Sequence, residues 1–312
     1  MKAYSIFDDF TREALDILTA AGAAVTVHPA GVPRPDAAQM KVILRDYDCV
    51  IIGTSQKITE DMFDGIDTPR IIATASVGLD HIRIPADKRP LVTVLNTPKA
   101  NAQSVAEYTF GCALACCKRL AEGNALYRQG KDNKQLFQKP EDLAGKTLGV
   151  VGAGNISQRI MQYAAFFGMR VLCWTRDPDR HRDLETRGVR FVALDDLVRT
   201  ADYISVNLPN KPETVGLISA ELVGEMKPTA VFISVSRLAT VDAEALFAKA
   251  RENPGFYVCL DLDLDAELIR QIPDRPNVLV TPHIAGGTVE TRKRMFMELA
   301  QAIAAAAPIG LI

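Results

Sequence analysis

Short apolar runs alternate with amphipathic stretches along most of the chain. Ala3 to Phe7, Ala24 to His28, Cys49 to Gly53 and Ile71 to Ala75 read as strands. Between them, Thr11 to Ala21 and Asp36 to Arg45 read as helices, and Glu60 to Phe63 as a short helical turn. Strands alternating with helices predict a parallel sheet covered on both faces. The chain then runs through Val92 to Leu95 into Asn96-Thr97-Pro98, and Ala102 to Leu120 keeps a helical period. A long apolar helix at that point is the natural spine and hinge between two α/β units. Gly123 to Ala144 is polar and irregular, which fits either a surface excursion or an arm gripping a second subunit.

A second alternating series follows. Lys146 to Gly152 is a buried strand, Gly152-Ala153-Gly154-Asn155-Ile156-Ser157 a glycine turn, and the next stretch a helix to Phe167, closed by Gly168. The strand Arg170 to Trp174 ends on Thr175-Arg176-Asp177. Strand, glycine turn, helix, strand is the unit that binds a dinucleotide. Gly152 permits the tight turn and Gly154 lets the backbone approach a pyrophosphate. The helix that starts at Asn155 and Ile156 offers unpaired N–H groups and a partial positive charge to the phosphate oxygens. Ser157 stands where a third glycine is usual. An acid that would grip the adenosine ribose is replaced by Thr175, with Arg176 behind it. That exchange suits a 2′-phosphate, so NADP is favoured and NAD is the alternative. Asp177 would still supply a carboxylate if the turn were shifted.

The series continues with a helix at Leu194 to Val198, a strand at Tyr203 to Leu208, a helix at Ala220 to Met226 and a strand at Ala230 to Val235. It ends with a helix at Ala243 to Arg251, strands at Tyr257 to Leu260 and Val278 to Val280, and an amphipathic helix, Met295 to Ala306, that would cross back to the first domain. The class is α/β, with two doubly wound parallel-sheet domains. A flavodoxin-like substrate domain is expected over residues 1–98 and 288–312, and a Rossmann cofactor domain over 99–287.

Composition adds exclusions. With 312 residues there is room for two cores, and 24% charged residues with a net charge of −2 is an ordinary globular balance. No basic run points to nucleic acid, and no uncharged apolar stretch reaches the roughly 18 residues of a membrane span. The first residues enter a strand without a signal-peptide profile, so a cytoplasmic protein is expected. The six cysteines mostly sit in apolar runs, as reduced, buried thiols do. Cys116-Cys117 lacks C-x-x-C spacing and a nearby histidine, so no metal is assigned.

The chain resembles the D-isomer-specific 2-hydroxyacid dehydrogenase family over almost its full length. The resemblance is carried by Ala75-Ser76-Val77-Gly78-Leu79-Asp80, Asn96-Thr97-Pro98, Ser104-Val105-Ala106-Glu107 and the glycine turn. Downstream it is carried by Leu208-Pro209, Pro212-Glu213-Thr214, Met226-Lys227-Pro228, Val235-Ser236-Arg237, Val241-Asp242, Leu260-Asp261 and Thr281-Pro282-His283. It implies hydride transfer between a nicotinamide cofactor and a small 2-oxoacid or D-2-hydroxyacid. It also implies that Leu208, Pro209, Val235, Ser236 and Gly286 face the cofactor, and that Asp261 contacts the nicotinamide amide. The alternative for Asp261 is a turn or helix cap.

Arg237 is implied to bind the substrate carboxylate and carbonyl, where a planar guanidinium suits two oxygens. From position alone an arginine at a strand end reads as a surface ion pair, but the carboxyl edge of a parallel sheet is where ligands bind. Backbone N–H groups of Val77 and Gly78 are implied to help hold the carboxylate. His283 is the acid/base candidate, since imidazole exchanges a proton near neutrality, and the small residues Ala285-Gly286-Gly287 leave room for a ligand. The family places a glutamate near Asp261 to orient that ring, and here the run is Asp261-Leu262-Asp263-Leu264-Asp265-Ala266-Glu267. Counting forward from Asp261 gives Ala266. Counting back from His283 with one deletion gives Asp265, the choice made here, with Glu267 in reserve. Asp265 would equally N-cap a helix from Ala266 to Ile272. Leu238 departs from the family's usual glycine. A homodimer is expected. The competing class is a nucleotide-sensing interaction protein of the same fold with little or no turnover; a third reading replaces the donor with a small oxyanion such as formate.

Overall fold

The structure is a computed structural model that describes the backbone of residues 1–310 apart from Phe137 and Leu264, and side chains through residue 306. The chain divides into two units, Met1–Asn101 with Thr288–Ile312, and Ala102–Gly287.

The first unit begins with β1 (Lys2–Ser5), α1 (Arg12–Ala20), β2 (Ala24–Val27), α2 (Ala37–Asp46), β3 (Cys49–Ile52), β4 (Arg70–Thr74) and β5 (Val92–Leu95). Helix starts are set by side chains that accept the first unpaired N–H groups. Thr11 caps α1, and Asp36 with Gln39 forms a reciprocal capping box on α2. All strand pairs are parallel in the order β2-β1-β3-β4-β5, which is the flavodoxin-like winding. β3 is buried along its whole length, as a central strand covered on both faces must be.

The second unit holds α3 (Ala102–Cys117), α4 (Leu120–Arg128), β6 (Thr147–Val151), α5 (Asn155–Phe166), β7 (Arg170–Trp174), β8 (Val189–Phe191) and α6 (Leu194–Thr200). It continues with β9 (Tyr203–Val206), α7 (Ala220–Glu225), β10 (Val231–Ser234), α8 (Ala243–Glu252), β11 (Tyr257–Asp261), α9 (Ala266–Gln271) and β12 (Val278–Thr281). Its parallel sheet runs β12-β11-β10-β9-β6-β7-β8, so the order reverses between β6 and β9, the switch point where such folds open a crevice. Alternate residues feed two cores. Val150, Ile233 and Cys259 face one side, and Val151, Phe232 and Val258 the other. α10 (Val289–Gly310) then belongs to the first unit, where Phe296 packs against Phe7 and Phe10 at 5.0 and 4.8 Å between ring centres.

Three stretches differ from expectation. The helix expected to Leu120 stops at Cys117, because Arg119 takes a left-handed backbone (φ +53°) and α4 starts anew. Most of α4 lies in the region read as irregular, and it buries no residue. β8 is a three-residue edge strand, too short to show alternation. All six cysteines are free and buried. Among the described residues no helix is long and apolar enough to cross a membrane, and no group of three His, Cys, Asp or Glu is placed to hold a metal ion.

Candidate active site

The glycine turn sits at the carboxyl end of β6. Gly152 has φ +100°, and a Cβ there would lie 2.9 Å from the Asn207 carbonyl oxygen, so only glycine fits. A Cβ on Gly154 would meet nothing within 4 Å, and α5, which begins at Asn155 and Ile156, has no side-chain cap. An open glycine beside an uncapped helix start is what a pyrophosphate requires, so the turn fits a dinucleotide. Ser157 is fully buried, its hydroxyl unpaired among the described residues.

Beyond the turn, Thr175 and Arg176 follow β7. The Arg176 guanidinium donates to Glu213 Oε1 at 2.8 Å. Asp177, the alternative ribose acid, pairs instead with Arg180 at 2.7 Å. The Ser236 hydroxyl accepts from Leu208 N at 2.7 Å and donates to the Val206 carbonyl at 3.1 Å. It thereby ties the segment after β10, with Val235, to the Leu208-Pro209 segment after β9.

Asp261, at the end of β11, is buried and clamps the next loop. Its Oδ1 accepts from Thr281 Oγ1 at 2.5 Å and Ile284 N at 2.8 Å, and its Oδ2 from Ala285 N at 2.8 Å. Thr281, having given its proton to Asp261, accepts from the Tyr108 hydroxyl at 2.7 Å. The clamp fixes the turn through Ala285 and Gly286, and within it His283 is held at φ +52°, a conformation that costs a non-glycine residue about 1 kcal/mol or more. This is the turn role that stood as the alternative for Asp261.

The carboxylate beside His283 is Asp263, not Asp265. Asp263 Oδ1 lies 2.6 Å from His283 Nδ1, and Arg237 Nη1 donates to Asp263 Oδ2 at 3.1 Å. With Nδ1–H given to Asp263, Nδ1 has no lone pair for Arg237, and their 3.4 Å approach is contact rather than a bond. Burial raises the Asp263 carboxyl, but the His283 hydrogen bond and the His283 and Arg237 charges outweigh it and hold the group below its ordinary range. Asp265 caps α9 instead, accepting from Glu267 N and Leu268 N, both at 2.9 Å. Its Oδ1 is taken up by the helix start. Glu267 pairs with Arg270 one turn on. The signal for Asp263 lay in strand register. Asp261 pairs with Thr281 across β11 and β12, so Asp263 and His283 each stand two residues past a matched pair.

In the first unit, Val77 and Gly78 follow β4. His81 Nε2 donates to Thr74 Oγ1 at 2.9 Å, Thr74 to Ser76 Oγ at 2.9 Å, and Ser76 to the Gly78 carbonyl at 2.7 Å. Asn96 Nδ2 holds the Val77 carbonyl at 2.9 Å. The loop's carbonyls are thus occupied, while the N–H groups of Val77 and Gly78 make no hydrogen bond to any described residue.

A dinucleotide turn, an arginine and a histidine paired to a carboxylate on one doubly wound unit define a nicotinamide-dependent oxidoreductase. Residues 110–285 match the profile of the D-isomer specific 2-hydroxyacid dehydrogenase, NAD binding domain. A hydroxypyruvate reductase of Thermotoga maritima is 33% identical over 270 residues, 85% of this chain and 86% of that protein. A glyoxylate reductase of Thermofilum pendens is 33% identical over 281 residues, 87% of this chain and 81% of that protein. The crystal structure of an Aquifex aeolicus D-lactate dehydrogenase complexed with NAD and lactic acid superposes with a TM-score of 0.79 at 26% identity, covering 99% of this chain and 96% of that one. The chain belongs to the D-isomer-specific 2-hydroxyacid dehydrogenase family, and it is an NAD(P)-dependent oxidoreductase of small 2-hydroxyacids and 2-oxoacids.

Proposed function

We propose that the chain works chiefly as a reductase of a small 2-oxoacid such as glyoxylate or hydroxypyruvate, the acids in the names of its relatives, with NADP preferred and NAD the alternative. The observation that carries this reading is the Arg237–Asp263–His283 arrangement. When bound, the nicotinamide supplies the hydride. Arg237 receives the substrate carboxylate and carbonyl oxygens, and its ion pair with Asp263 steadies the guanidinium. His283 keeps Nδ1–H on Asp263, so Nε2 is the nitrogen that gives its proton to the carbonyl oxygen and takes it back in the reverse direction. Within the first unit, the backbone N–H groups of Val77 and Gly78 are the donors expected of a carboxylate-binding loop.

Arg176 supports the NADP preference, since a guanidinium next to the residue that replaces the ribose acid suits a 2′-phosphate. The first unit is read as the substrate domain and the second as the cofactor domain. Buried, unpaired thiols favour a reducing compartment such as the cytoplasm. A homodimer is the proposed assembly. The exposed apolar side chains Leu120 and Tyr127 on α4 are the surface that a second copy would cover.

The noncatalytic reading has no use for an arginine and an imidazole sharing one carboxylate. A steady-state screen of 2-oxoacids with NADPH and NADH tests the proposal, with His283→Gln as the control. Turnover of at least one 2-oxoacid, cut by about 10²-fold or more in His283→Gln, is expected. Cofactor binding without any 2-oxoacid turnover would favour the nucleotide-sensing protein.

A further inference from the structure

A carboxylate from the loop after β9 reaches the segment that follows β7. In the sheet β6 lies between β7 and β9. Arg176 follows β7, and Glu213 sits in the short helical turn Pro212–Thr214 after β9. Their 2.8 Å ion pair therefore joins the loops on either side of the glycine turn, which follows β6.

Glu213 is presented rigidly. Thr214, buried next to it, donates from Oγ1 to the Pro209 carbonyl at 2.6 Å and accepts from Lys211 N at 3.0 Å. Pro212 fixes the backbone before it. The Glu213 carboxyl is held below its ordinary range by its own backbone N–H, then by Arg176, and so stays ionised near neutrality.

A free ribose 2′-hydroxyl is a donor that a carboxylate can accept, whereas a 2′-phosphate is an anion that the carboxylate repels and the guanidinium attracts. The pair thus offers one partner to each kind of adenosine, and the two partners are bonded to one another.

We propose that Glu213 is a specificity-determining residue for the cofactor, competing with a 2′-phosphate for Arg176 and thereby keeping the protein open to both nicotinamide dinucleotides. The proposal rests on Arg176 being the phosphate's partner, as read above.

The test is direct binding, without turnover, of NADPH, NADH and the fragments 2′,5′-ADP and 5′-AMP. It compares the wild type, Glu213→Gln, Arg176→Ala and the double variant. Both side chains are about half exposed, so all four proteins should fold, and unfolding curves check this. Glu213→Gln should raise the NADPH-to-NADH affinity ratio about fivefold, and the fragment ratio alike. Arg176→Ala should lower both ratios, and adding Glu213→Gln to it should raise them by clearly less than it does in the wild type, since only direct repulsion is then relieved. An unchanged ratio in Glu213→Gln, beside a lowered one in Arg176→Ala, overturns the proposal and leaves the NADP reading intact. An equal rise with and without Arg176 overturns it too, since Glu213 would then act by charge alone. If Arg176→Ala leaves the ratio unchanged, both the proposal and the NADP reading fall.

Discussion

His283 Nδ1 stands 2.6 Å from Asp263 Oδ1, and the two residues occupy matched places, each second after a member of the Asp261–Thr281 strand pair. The carboxylate is thus carried on the segment leaving β11, ahead of the α9 cap.

Asp263→Asn should alter the pH dependence of reduction. The Asp263 carboxyl is lowered from its ordinary 3.8, so its contribution is complete above that value and lost only as pH falls through the lower one. Near neutrality it is therefore fully an anion, accepting the Nδ1 hydrogen of the ring. Without it, the rate should fall by about tenfold and the pH profile should be displaced, because a group that titrates against the ring is gone. Asp265→Ala should instead cost about 0.5–2 kcal/mol of stability, as a lost N-cap, and leave the profile in place. A profile moved by Asp265→Ala and not by Asp263→Asn would restore the count made from sequence.

Why the sequence misled at this one position follows from what each signal measures. Strand alternation and the glycine turn are local patterns, and they marked β6, α5 and β7 within a residue or two of their ends. Arg237 and His283 stood at strand ends, which local pattern also locates. The acid was sought by counting along the chain, and counting fails across a loop of altered length. Register between β11 and β12 would have found Asp263, but register is a tertiary fact. α4 escaped for a different reason, since Gly123 and Asn124 in its middle read as loop formers.

Arg237→Lys should keep a cation beside Asp263 and lose the planar fork. A charge-assisted hydrogen bond is worth roughly 1.5–3 kcal/mol, so kcat/KM for 2-oxoacids should fall roughly ten- to hundredfold. NADPH affinity should stay nearly unchanged, and steady-state kinetics beside direct binding separate the two. Undiminished turnover would place the substrate carboxylate elsewhere.

The two turn glycines should respond differently to alanine. Gly152→Ala forces a Cβ to 2.9 Å from a backbone oxygen at φ +100°, so it should lose about 1–3 kcal/mol of stability along with cofactor binding. Gly154→Ala meets open space, so it should unfold at closer to the wild-type temperature while still weakening NADPH. Equal melting losses would mean that Gly154 serves the fold and not a ligand.

Ser157→Ala should stabilise the protein. The hydroxyl is fully buried without a partner among the described residues, and it lies in a helix that alanine favours. Removing an unsatisfied buried hydroxyl returns about 1 kcal/mol, read as a rise of roughly 2–4 °C in Tm. A fall in Tm would show that the hydroxyl has a bonded partner after all.

Asp261→Asn tests whether the clamp sets the active geometry. An amide can keep the Thr281 and Ile284 bonds on its oxygen, but its NH2 group then faces the Ala285 N–H, donor against donor. Ala285 is buried, so leaving that N–H unpaired costs about 1–3 kcal/mol. His283 is kept at φ +52° by these same bonds, and once they weaken the turn should relax toward an ordinary backbone and carry the imidazole away from Asp263. The expected outcome is a fall in kcat of about 10²-fold, the scale of a displaced general acid. Its distinguishing mark is pH dependence. Residual activity should show the same displaced profile as Asp263→Asn, because both variants leave the ring without its carboxylate. A lower Tm with wild-type kcat and an unmoved profile would mean that the loop holds His283 in place without Asp261.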